Sequence, residues 1–402
     1  LTETKKNYSR ARLIQVLETS PDRVVPPCPH FGLCGGCHLQ HLPAEAQDRF
    51  KTESFRTALA HALKQPDPPL LPLLAAPRRR HYRQRLRLKL GGSARRRVLG
   101  FYQARSHRII PLKHCLLADQ EINALLDFLG SRLAGLPPLP GTADLEIRLL
   151  GENQGAVLVI SGLGALPAKI EAPLVRALRE KETIRAVFFQ NQEDGSLAGP
   201  ETFAPERHAS LYQVPLGGSL KNQEIALAVF PQVFSQVNPY QNRRLIALLE
   251  ALPLITWQDR IWDLYCGQGN FSIPLSFGAA EVLGIESFAP AVENALWNQK
   301  INPESRCRFI RASALEGASR LIHSGENPDW VILDPPRSGA AAVIPALSRL
   351  KARGLFYVSC EPMTLFRDLA LLLKEGWRLE WTRPLDFFPQ TFHLESLSLL
   401  RR

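Results

Sequence analysis

The chain has 402 residues, 45% of them hydrophobic and 22% charged, which excludes a globally disordered protein and is typical of two or three folded domains. No uninterrupted apolar stretch approaches the roughly 18 residues of a membrane-spanning helix, and no secretory signal is recognisable, so we expect a cytoplasmic protein. The first residue is Leu1 and the single methionine is Met363, from which we expect that the natural amino terminus is missing.

The net charge of +11 is concentrated in one segment. Between Pro68 and Ala118 there is no Asp or Glu, while the same segment contains 13 positive residues: Arg78, Arg79, Arg80, Arg83, Arg85, Arg87, Lys89, Arg95, Arg96, Arg97, Arg105, Arg108 and Lys113. Subtracting these 13 charges from +11 leaves −2 for the rest of the molecule. Such a local excess predicts a surface that binds a polyanion, with a solvated face that only aids solubility as the alternative.

The first part of the chain predicts a strand, a loop, a helix and a linker in that order. Residues 10–18 are expected to form a strand, the last of a domain whose beginning is absent, and residues 26–40 a cysteine-rich loop. Residues 44–63 have a composition compatible with a helix. The prolines at positions 66, 68, 69, 72 and 77 then predict a stiff, extended linker, because proline cannot continue a helix.

Residues 76–225 predict a mostly β region with one basic face. A half-buried strand is indicated where apolar and basic residues alternate with a period of two, at Arg85, Leu86, Arg87, Leu88, Lys89 and Leu90. One face of that strand would be apolar, and the other would be a row of cations. Further strands are expected at 98–102, 145–150, 156–161, 186–190 and 211–214.

From residue 226 onward the pattern becomes α/β. Apolar strands alternate with helical stretches of about 12–15 residues, which predicts a doubly wound, largely parallel sheet. The expected strands are 260–265, 281–285, 307–311, 329–333 and 354–358, with 377–383 and 394–400 completing the sheet. The fold class is therefore α/β, with a Rossmann-like domain preceded by the mostly β region.

The segment DLYCGQGNF, residues 263–271, predicts a cofactor loop between a strand and a helix. Gly267 and Gly269 allow a tight turn and close approach of a ligand, and Glu286 ends the next strand, where an acid can hydrogen-bond both hydroxyls of a ribose. Ser272 stands where a dinucleotide fingerprint has its third glycine, so S-adenosylmethionine fits better than NAD. The alternative is a plain strand–turn–helix without a ligand.

Three further motifs place reactive groups at strand ends. DWVILDPPRSG puts Asp334 on a rigid loop, LFYVSCEP places Cys360 after the next strand, and HLES places Glu395 near the carboxyl terminus. A thiolate is a strong nucleophile, and a carboxylate can act as a base. The alternatives are an inert core thiol for Cys360 and a solvent-facing side chain for Glu395.

Three of the seven cysteines, Cys28, Cys34 and Cys37, are close together in the sequence, which indicates a metal site in a reducing compartment. Zinc could be completed by another cysteine or by His30 or His38. The spacing alone leaves zinc and an iron–sulfur cluster open.

Taken in this order, the motifs resemble the RNA uracil-5-methyltransferase family over nearly the whole chain, and FSQVNPYQN (residues 234–242) matches a further family segment. CPHFGLCGGCHLQ (28–40) together with Cys115 resembles the subfamily that carries a [4Fe–4S] cluster and typically modifies large-subunit ribosomal RNA. TKKNYSRARLIQVLE resembles the last part of that subfamily's TRAM domain, an OB-like RNA-binding barrel.

The resemblance implies a role for each matching residue. Cys360 would add to C6 of uracil so that C5 can take the methyl group of S-adenosylmethionine, and Glu395 would then remove the C5 proton. Cofactor contacts are implied for Gln236, Tyr265, Asn270, Glu286, Asp334 and Ser313, and cluster ligands for Cys28, Cys34, Cys37 and Cys115. Two residues depart from the family pattern. Glu361 replaces an Asn after the nucleophile, where its charge would raise the pKa of the thiol, and Ser313 replaces an acid or amide near the adenine.

The organisation that follows is a TRAM remnant at 1–24, an RNA-recognition region with the cluster loop at 25–225, and a methyltransferase domain at 226–402. We expect RNA, most plausibly 23S rRNA, as the substrate of a monomeric enzyme, with transfer RNA as the alternative. An amino-methyltransferase using the Asp334 loop, and a non-catalytic RNA-binding module, are the rival functions.

Overall fold

The computed structural model describes all residues except 1–2, 6–7, 11–13, 94–95, 134–135, 137–138, 165, 218–222 and 253. Its strands are β1 Glu3–Lys5, β2 Tyr8–Arg10, β3 Arg85–Ser93, β4 Arg96–Tyr102, β5 Ile109–Pro111, β6 Ala143–Leu149, β7 Ala156–Ser161, β8 Ile184–Gln190, β9 Leu197–Ala198, β10 Ser210–Pro215, β11 Glu224–Val229, β12 Arg260–Leu264, β13 Glu281–Glu286, β14 Cys307–Arg311, β15 Trp330–Leu333, β16 Gly354–Ser359, β17 Arg378–Leu385 and β18 Glu395–Arg401. Its helices are α1 Ala44–Leu63, α2 Gln120–Leu133, α3 Ala168–Arg179, α4 Pro205–His208, α5 Pro239–Ala251, α6 Ser272–Leu275, α7 Ala289–Ile301, α8 Ala314–His323, α9 Ile344–Leu347 and α10 Pro362–Lys374.

The amino-terminal strand differs from the prediction. β1 and β2 form a two-stranded antiparallel hairpin that ends at Arg10. Residues 14–18 are not part of a strand, and residues 11–13 lie outside the described part of the chain. The predicted strand at 10–18 is therefore wrong over its described carboxyl-terminal half.

The first large sheet has the strand order β5-β4-β3-β6-β7-β8-β9. The predicted alternation in β3 is confirmed, because Leu86, Leu88 and Leu90 are buried in its core. The region is β-rich as predicted, and two helices cover this core, α2 with Ile122 and α3 with Leu174. The predicted strand at 211–214 lies outside this sheet and pairs with β11.

The predicted row of cations on β3 is partly neutralised by acids of β6. The antiparallel ladder with β6 places Arg87 opposite Glu146 and Lys89 opposite Asp144. Arg87 Nε lies 2.8 Å from Glu146 Oε2, and Lys89 Nζ lies 2.6 Å from Asp144 Oδ1. Although burial opposes it, the surrounding arginine charges lower the pKa of Glu146 to about 2. The predicted cations are therefore present on this face of β3, but they form ion pairs with two acids of β6.

The second large sheet has the order β14-β13-β12-β15-β16-β18-β17 and confirms the α/β fold class. β12 to β16 are parallel, and β18 enters antiparallel between β16 and β17. Buried parallel strands are covered on both faces, which is why they occur as short apolar runs in the sequence. α1 packs on α10, where the rings of Phe55 and Phe366 are 5.0 Å apart.

The proline-rich linker is extended as predicted, and it also extends the sheet. Leu70 and Leu74 form parallel bridges with Thr382 and Leu385 on the outer side of β17. The predicted helix at 44–63 is confirmed as α1. Within the described residues, no helix is both long and apolar enough to cross a membrane.

Candidate active site

The candidate site lies at the carboxyl ends of the parallel strands, where open α/β sheets bind ligands. Tyr265, Glu286, Asp334 and Cys360 end or directly follow four of these strands. β18 runs in the opposite direction, so its first residue, Glu395, lies at the same end of the sheet. The sheet thereby brings together residues that are distant in the sequence.

The pairing of β16 with β18 brings the two residues predicted to be catalytic side by side. Ser359 is paired with Ser396 in an antiparallel ladder, so the next residue of one strand, Cys360, faces the preceding residue of the other, Glu395. The Glu395 side chain is buried, and its Oε2 has no hydrogen-bond partner among the described residues. A buried carboxyl oxygen without a protein partner is available to a bound substrate.

The electrostatics of this pair favour the protonated form of both groups. Burial, together with the carboxyl groups of Glu395 and Asp334, raises the pKa of Cys360 to about 11, and the charge of Arg337 opposes this rise. Burial and then the charge of Asp334 raise the pKa of Glu395 well above its ordinary value. A carboxylate whose pKa is raised is a stronger base once it is ionised.

Glu361 does not act on the thiol in the way that the sequence suggested. Its backbone N–H donates to Ser359 Oγ over 3.2 Å at the start of α10. Its charge acts on His393, and the groups that raise the pKa of Cys360 are instead Glu395 and Asp334. The structure thus gives no support to the expectation that Glu361, in place of Asn, raises the pKa of the Cys360 thiol.

The loop after β12 is shaped for a ligand. Tyr265, a non-glycine residue, has a φ of +65°, and Gly269 has a φ of +84°. A Cβ on Gly269 would lie 3.1 Å from Ile273, so the position also needs glycine for packing. Glu286 accepts the Gly267 N–H at Oε2 over 3.1 Å, which fixes its carboxylate against the loop.

Ser272, which stands where the third glycine is missing, forms a buried hydrogen bond with Asp263. The sequence reasoning assigned no role to either residue. Ser272 Oγ donates to Asp263 Oδ2 over 2.5 Å in the protein interior. Burial raises the pKa of Asp263 to about 7, against the effect of this hydrogen bond. The only sequence signal was an acid inside an otherwise apolar strand.

Asn270 is held in a buried polar network that joins the loop to β10 and α5. Asn270 and Asn242 exchange two hydrogen bonds, of 2.7 and 3.1 Å, and the Tyr212 hydroxyl donates to Asn270 Oδ1 over 3.0 Å. Gln236 lies at a small cavity of about 40 Å³ beside Tyr212 and Asn242. The Gln236 Oε1 atom is buried without a partner among the described residues. Sequence reasoning missed Tyr212 and Asn242.

Ser313 has a clear local role. It caps the amino terminus of α8, where its Oγ accepts the Glu316 N–H over 3.2 Å and donates to Glu316 Oε2 over 2.8 Å. Its hydroxyl is therefore engaged in a capping box, and its contact with a cofactor stays a prediction.

The loop carrying Asp334 is fastened by a buried acid that the sequence did not reveal. Asp368 on α10 accepts the Tyr357 hydroxyl and the Ala340 N–H at Oδ2, both over 2.6 Å. Arg367 Nε donates to its other oxygen over 2.8 Å. Through the Ala340 N–H, this carboxylate ties the loop to α10 and β16.

Residues 386–394, here called the base loop, lead directly into Glu395 and are held by the first part of the chain. Lys51 Nζ donates to Asp386 Oδ1 over 2.6 Å and to the Phe388 carbonyl over 3.0 Å. The N–H groups of His38 and Leu39 donate to the Gln390 carbonyl over 2.9 and 3.0 Å. The cysteine-rich loop and α1 therefore hold the base loop in place before Glu395.

The four predicted cluster ligands line one cavity of about 70 Å³. These are Cys28, Cys34, Cys37 and Cys115. Burial raises the pKa of Cys34, and it raises that of Cys37 to about 11. The Gly36 N–H points at Cys34 Sγ over 3.4 Å. Among the residues that the structure describes, no group of three or more His, Cys, Asp or Glu side chains forms a metal-ion centre.

Comparison with known proteins identifies the family. A family model described as tRNA (uracil-5-)-methyltransferase matches residues 219–402. The chain is 35% identical over 404 residues to the Yersinia enterocolitica 23S rRNA (uracil(1939)-C(5))-methyltransferase RlmD, covering 99% of this chain and 86% of that protein. It is 34% identical over 404 residues to RlmD of Edwardsiella ictaluri, with the same two coverages, 99% and 86%.

The fold is shared with a solved structure. The Pyrococcus abyssi tRNA (uracil-54, C5)-methyltransferase in complex with S-adenosyl-L-homocysteine superposes with a TM-score of 0.69 at 23% identity, over 96% of this chain and 88% of the other. With the full-length identity to RlmD enzymes, the chain belongs to the family of S-adenosylmethionine-dependent RNA uracil-C5 methyltransferases.

Proposed function

We propose that this protein methylates C5 of a uridine in 23S rRNA, with Cys360 as nucleophile and Glu395 as base. The observation that carries the proposal is the opposition of these two residues across the β16–β18 ladder, in a chain whose full-length relatives are named as 23S rRNA uracil-C5 methyltransferases. Neither residue is required by the rival amino-methyltransferase chemistry. A transfer-RNA substrate remains an outcome of the test.

Three steps follow from the chemistry of uracil. The thiolate of Cys360 adds to C6, and the electron pair of the C5–C6 double bond moves toward C5 and the O4 carbonyl. C5 then takes the methyl group, and the sulfonium leaves as neutral S-adenosylhomocysteine. Glu395 removes the proton at C5, the double bond reforms, and the C6–S bond breaks to release the thiolate. Because its pKa is about 11, Cys360 is a thiol in the free protein at neutral pH, so it must release its proton to water before it adds to C6, and Glu395 must be ionised before it takes the C5 proton.

The cofactor would lie across the loop after β12. Glu286 is positioned by the Gly267 N–H to bind the ribose hydroxyls, and the buried, unpaired Gln236 Oε1 offers an acceptor. Tyr265, Asn270 and Asp334 complete the proposed contacts, with Ser313 near the adenine. The target uridine must leave its stack to reach Cys360, since the half-buried thiol directly follows the end of β16.

The cysteine cavity suits an iron–sulfur cluster better than a single zinc ion. Four thiols surround a shared space of about 70 Å³, whereas a structural zinc site closes tightly around one ion. The Gly36 N–H directed at Cys34 Sγ is the kind of contact that tunes cluster sulfurs. Cys28, Cys34, Cys37 and Cys115 would hold the cluster, whose contribution is to fasten the loop that contacts the base loop. Anaerobically purified protein should contain iron and sulfide in near-equal amounts, and colourless protein with one zinc would contradict this.

The remaining organisation is proposed on the same basis. Residues 1–24 are taken as a TRAM remnant, 25–225 as the RNA-recognition region and 226–402 as the methyltransferase domain. Because Phe55 of α1 packs on Phe366 of α10, we take the second and third regions to be in contact across the boundary at 225/226. We take the enzyme to be a cytoplasmic monomer, which light scattering with and without RNA would test.

The decisive experiment combines mapping and trapping. 5-Methyluridine is mapped by mass spectrometry in 23S rRNA and in transfer RNA from cells with and without the protein. An RNA fragment with 5-fluorouridine at the mapped site should then form a covalent complex with the wild type, because fluorine cannot leave as a proton does.

Three variants complete the trapping experiment. Cys360→Ala should form no complex, and Glu395→Gln should accumulate a methylated adduct on ordinary uridine. Cys307→Ala, which removes a buried thiol at the opposite end of the sheet, should behave as the wild type. Methylation by Cys360→Ala would overturn the proposal.

A further inference from the structure

The base loop exposes one large aromatic ring beside the proposed active site. Phe392 is 54% exposed and lies three residues before Glu395. Leaving a phenylalanine half exposed forgoes apolar burial worth roughly 25 cal/mol per Å². Leu394 of the same loop is buried in the core, whereas the ring of Phe392 faces solvent.

The exposed ring packs against two tilted imidazole rings. The centroid of Phe392 lies 4.3 Å from that of His38 and 4.5 Å from that of His393. His38 belongs to the cysteine-rich loop, and its N–H donates to the Gln390 carbonyl over 2.9 Å. The His393 N–H is held by Thr391 Oγ1 over 3.2 Å. Three aromatic rings from two distant segments are thus fixed against each other before any substrate binds.

The residues around Phe392 favour RNA as the molecule that contacts this ring. Arg337, an exposed residue on the loop after β15, acts electrostatically on both Cys360 and His393, so it lies at the same mouth of the site. Burial foremost, and then the Arg337 charge, lowers the pKa of His393, which favours the neutral form of its imidazole. A neutral aromatic surface next to a guanidinium matches a nucleobase attached to a phosphate.

We propose that Phe392, supported by His38 and His393, is a stacking platform for a nucleobase adjacent to the target uridine, with Arg337 facing the phosphate. This rests on the proposed function. A uridine that leaves its stack also exposes its neighbour, and an aromatic ring at the mouth replaces the stacking that the neighbour loses. The platform thereby favours the RNA conformation in which the uridine reaches Cys360.

The test uses the whole protein and the 23S rRNA fragment identified by mapping. Phe392→Ala should weaken RNA binding about ten-fold, the effect of losing one stacked base. Phe392→Leu, which keeps an apolar side chain but has no ring, should lose most of the same affinity. Trp257→Ala is the matched control, because Trp257 is 70% exposed and lies just before β12, at the opposite end of the sheet.

A spectroscopic readout distinguishes stacking from mere packing. 2-Aminopurine is placed in turn on each side of the target, and its fluorescence should be quenched by the wild type and by Trp257→Ala at one position but not by Phe392→Ala. S-adenosylmethionine affinity and the urea midpoint should be unchanged in all variants.

The outcomes that overturn the platform are separable from failure of the function. RNA affinity of Phe392→Ala equal to that of the control, wild-type affinity in Phe392→Leu, or quenching that survives loss of the ring would each refute the platform. A wild type that forms no covalent complex with 5-fluorouridine RNA would instead refute the proposed function itself.

Discussion

Replacing Lys51 by methionine should destabilise the protein and also slow methyl transfer, although Lys51 lies far from Cys360 in the sequence. The Lys51 and Asp386 side chains are 1% and 0% exposed, and Nζ and Oδ1 are 2.6 Å apart. Burial lowers the pKa of Lys51 and raises that of Asp386, while the attraction between the two charges opposes both shifts. Each charge therefore depends on its partner to offset the free-energy cost of its burial.

The expected magnitudes differ for the two partners. Breaking a buried ion pair from one side costs about 3–5 kcal/mol. Lys51→Met leaves Asp386 with Arg79 Nη1 at 3.0 Å, so we expect about 3 kcal/mol, the lower end of that range. Asp386→Asn removes the negative charge that faces both Lys51 and Arg79, so we expect about 4 kcal/mol. Both variants should lower kcat at least ten-fold because the base loop loses its anchor, while affinity for S-adenosylmethionine is retained.

Urea unfolding and single-turnover methylation measure the two effects. Arg56→Met is the matched control, since Arg56 and Glu53 are 51% and 67% exposed on the same helix and such pairs contribute about 0.2–1 kcal/mol. A Lys51→Met variant as stable and as active as this control would refute the reasoning. So would a larger loss for Lys51→Met than for Asp386→Asn, because it would show that Arg79 does not share the carboxylate.

Three further results are expected. Asp334→Asn should speed alkylation of Cys360 by iodoacetamide at pH 8, because burial and then the neighbouring carboxyl charges raise the thiol pKa; mass spectrometry would show an unchanged or slower rate if this is wrong. Burial raises the pKa of Asp263 to about 7, so the folded protein keeps a proton that the unfolded chain releases, and stability falls as the pH rises from about 4 to 7. Asp263→Asn should reduce this loss of stability. An equal change in urea midpoint between pH 5 and pH 8 for the variant and the wild type would contradict the prediction. Tyr212→Phe should weaken S-adenosylmethionine binding about five-fold by calorimetry, since Asn270 loses a hydrogen bond worth about 1 kcal/mol, and an unchanged Kd would exclude Tyr212 from positioning the loop.

The strands of the methyltransferase sheet could be predicted because each buried parallel strand is a short apolar run. The motifs after them carry Asp334 and Cys360, and parallel packing alone collects such residues at one end of a sheet. The sequence prediction lacks α2, although Ile122, Leu125 and Leu129 have the spacing of one helix face.

Long-range contacts could not be predicted in the same way. Lys51 and Asp386 are 335 positions apart, and only the folded chain shows that one neutralises the other. Likewise, the acids opposite Arg87 and Lys89 lie on β6, so the charge of that face depends on a strand pairing and not on the local sequence. Charge counted along the chain therefore overstated the basic surface.

The linker that borders β17 has a consequence for the solubility of the enzyme. Leu71 and Leu74 donate their N–H groups to β17 over 2.8 and 2.9 Å, and Pro72 between them has no N–H to offer to a further strand. An open strand is a template for pairing with another molecule, and proline on its outer side prevents this. This side of the sheet thus offers one backbone donor fewer to a second molecule, because of a segment whose composition alone suggests nothing more than a spacer.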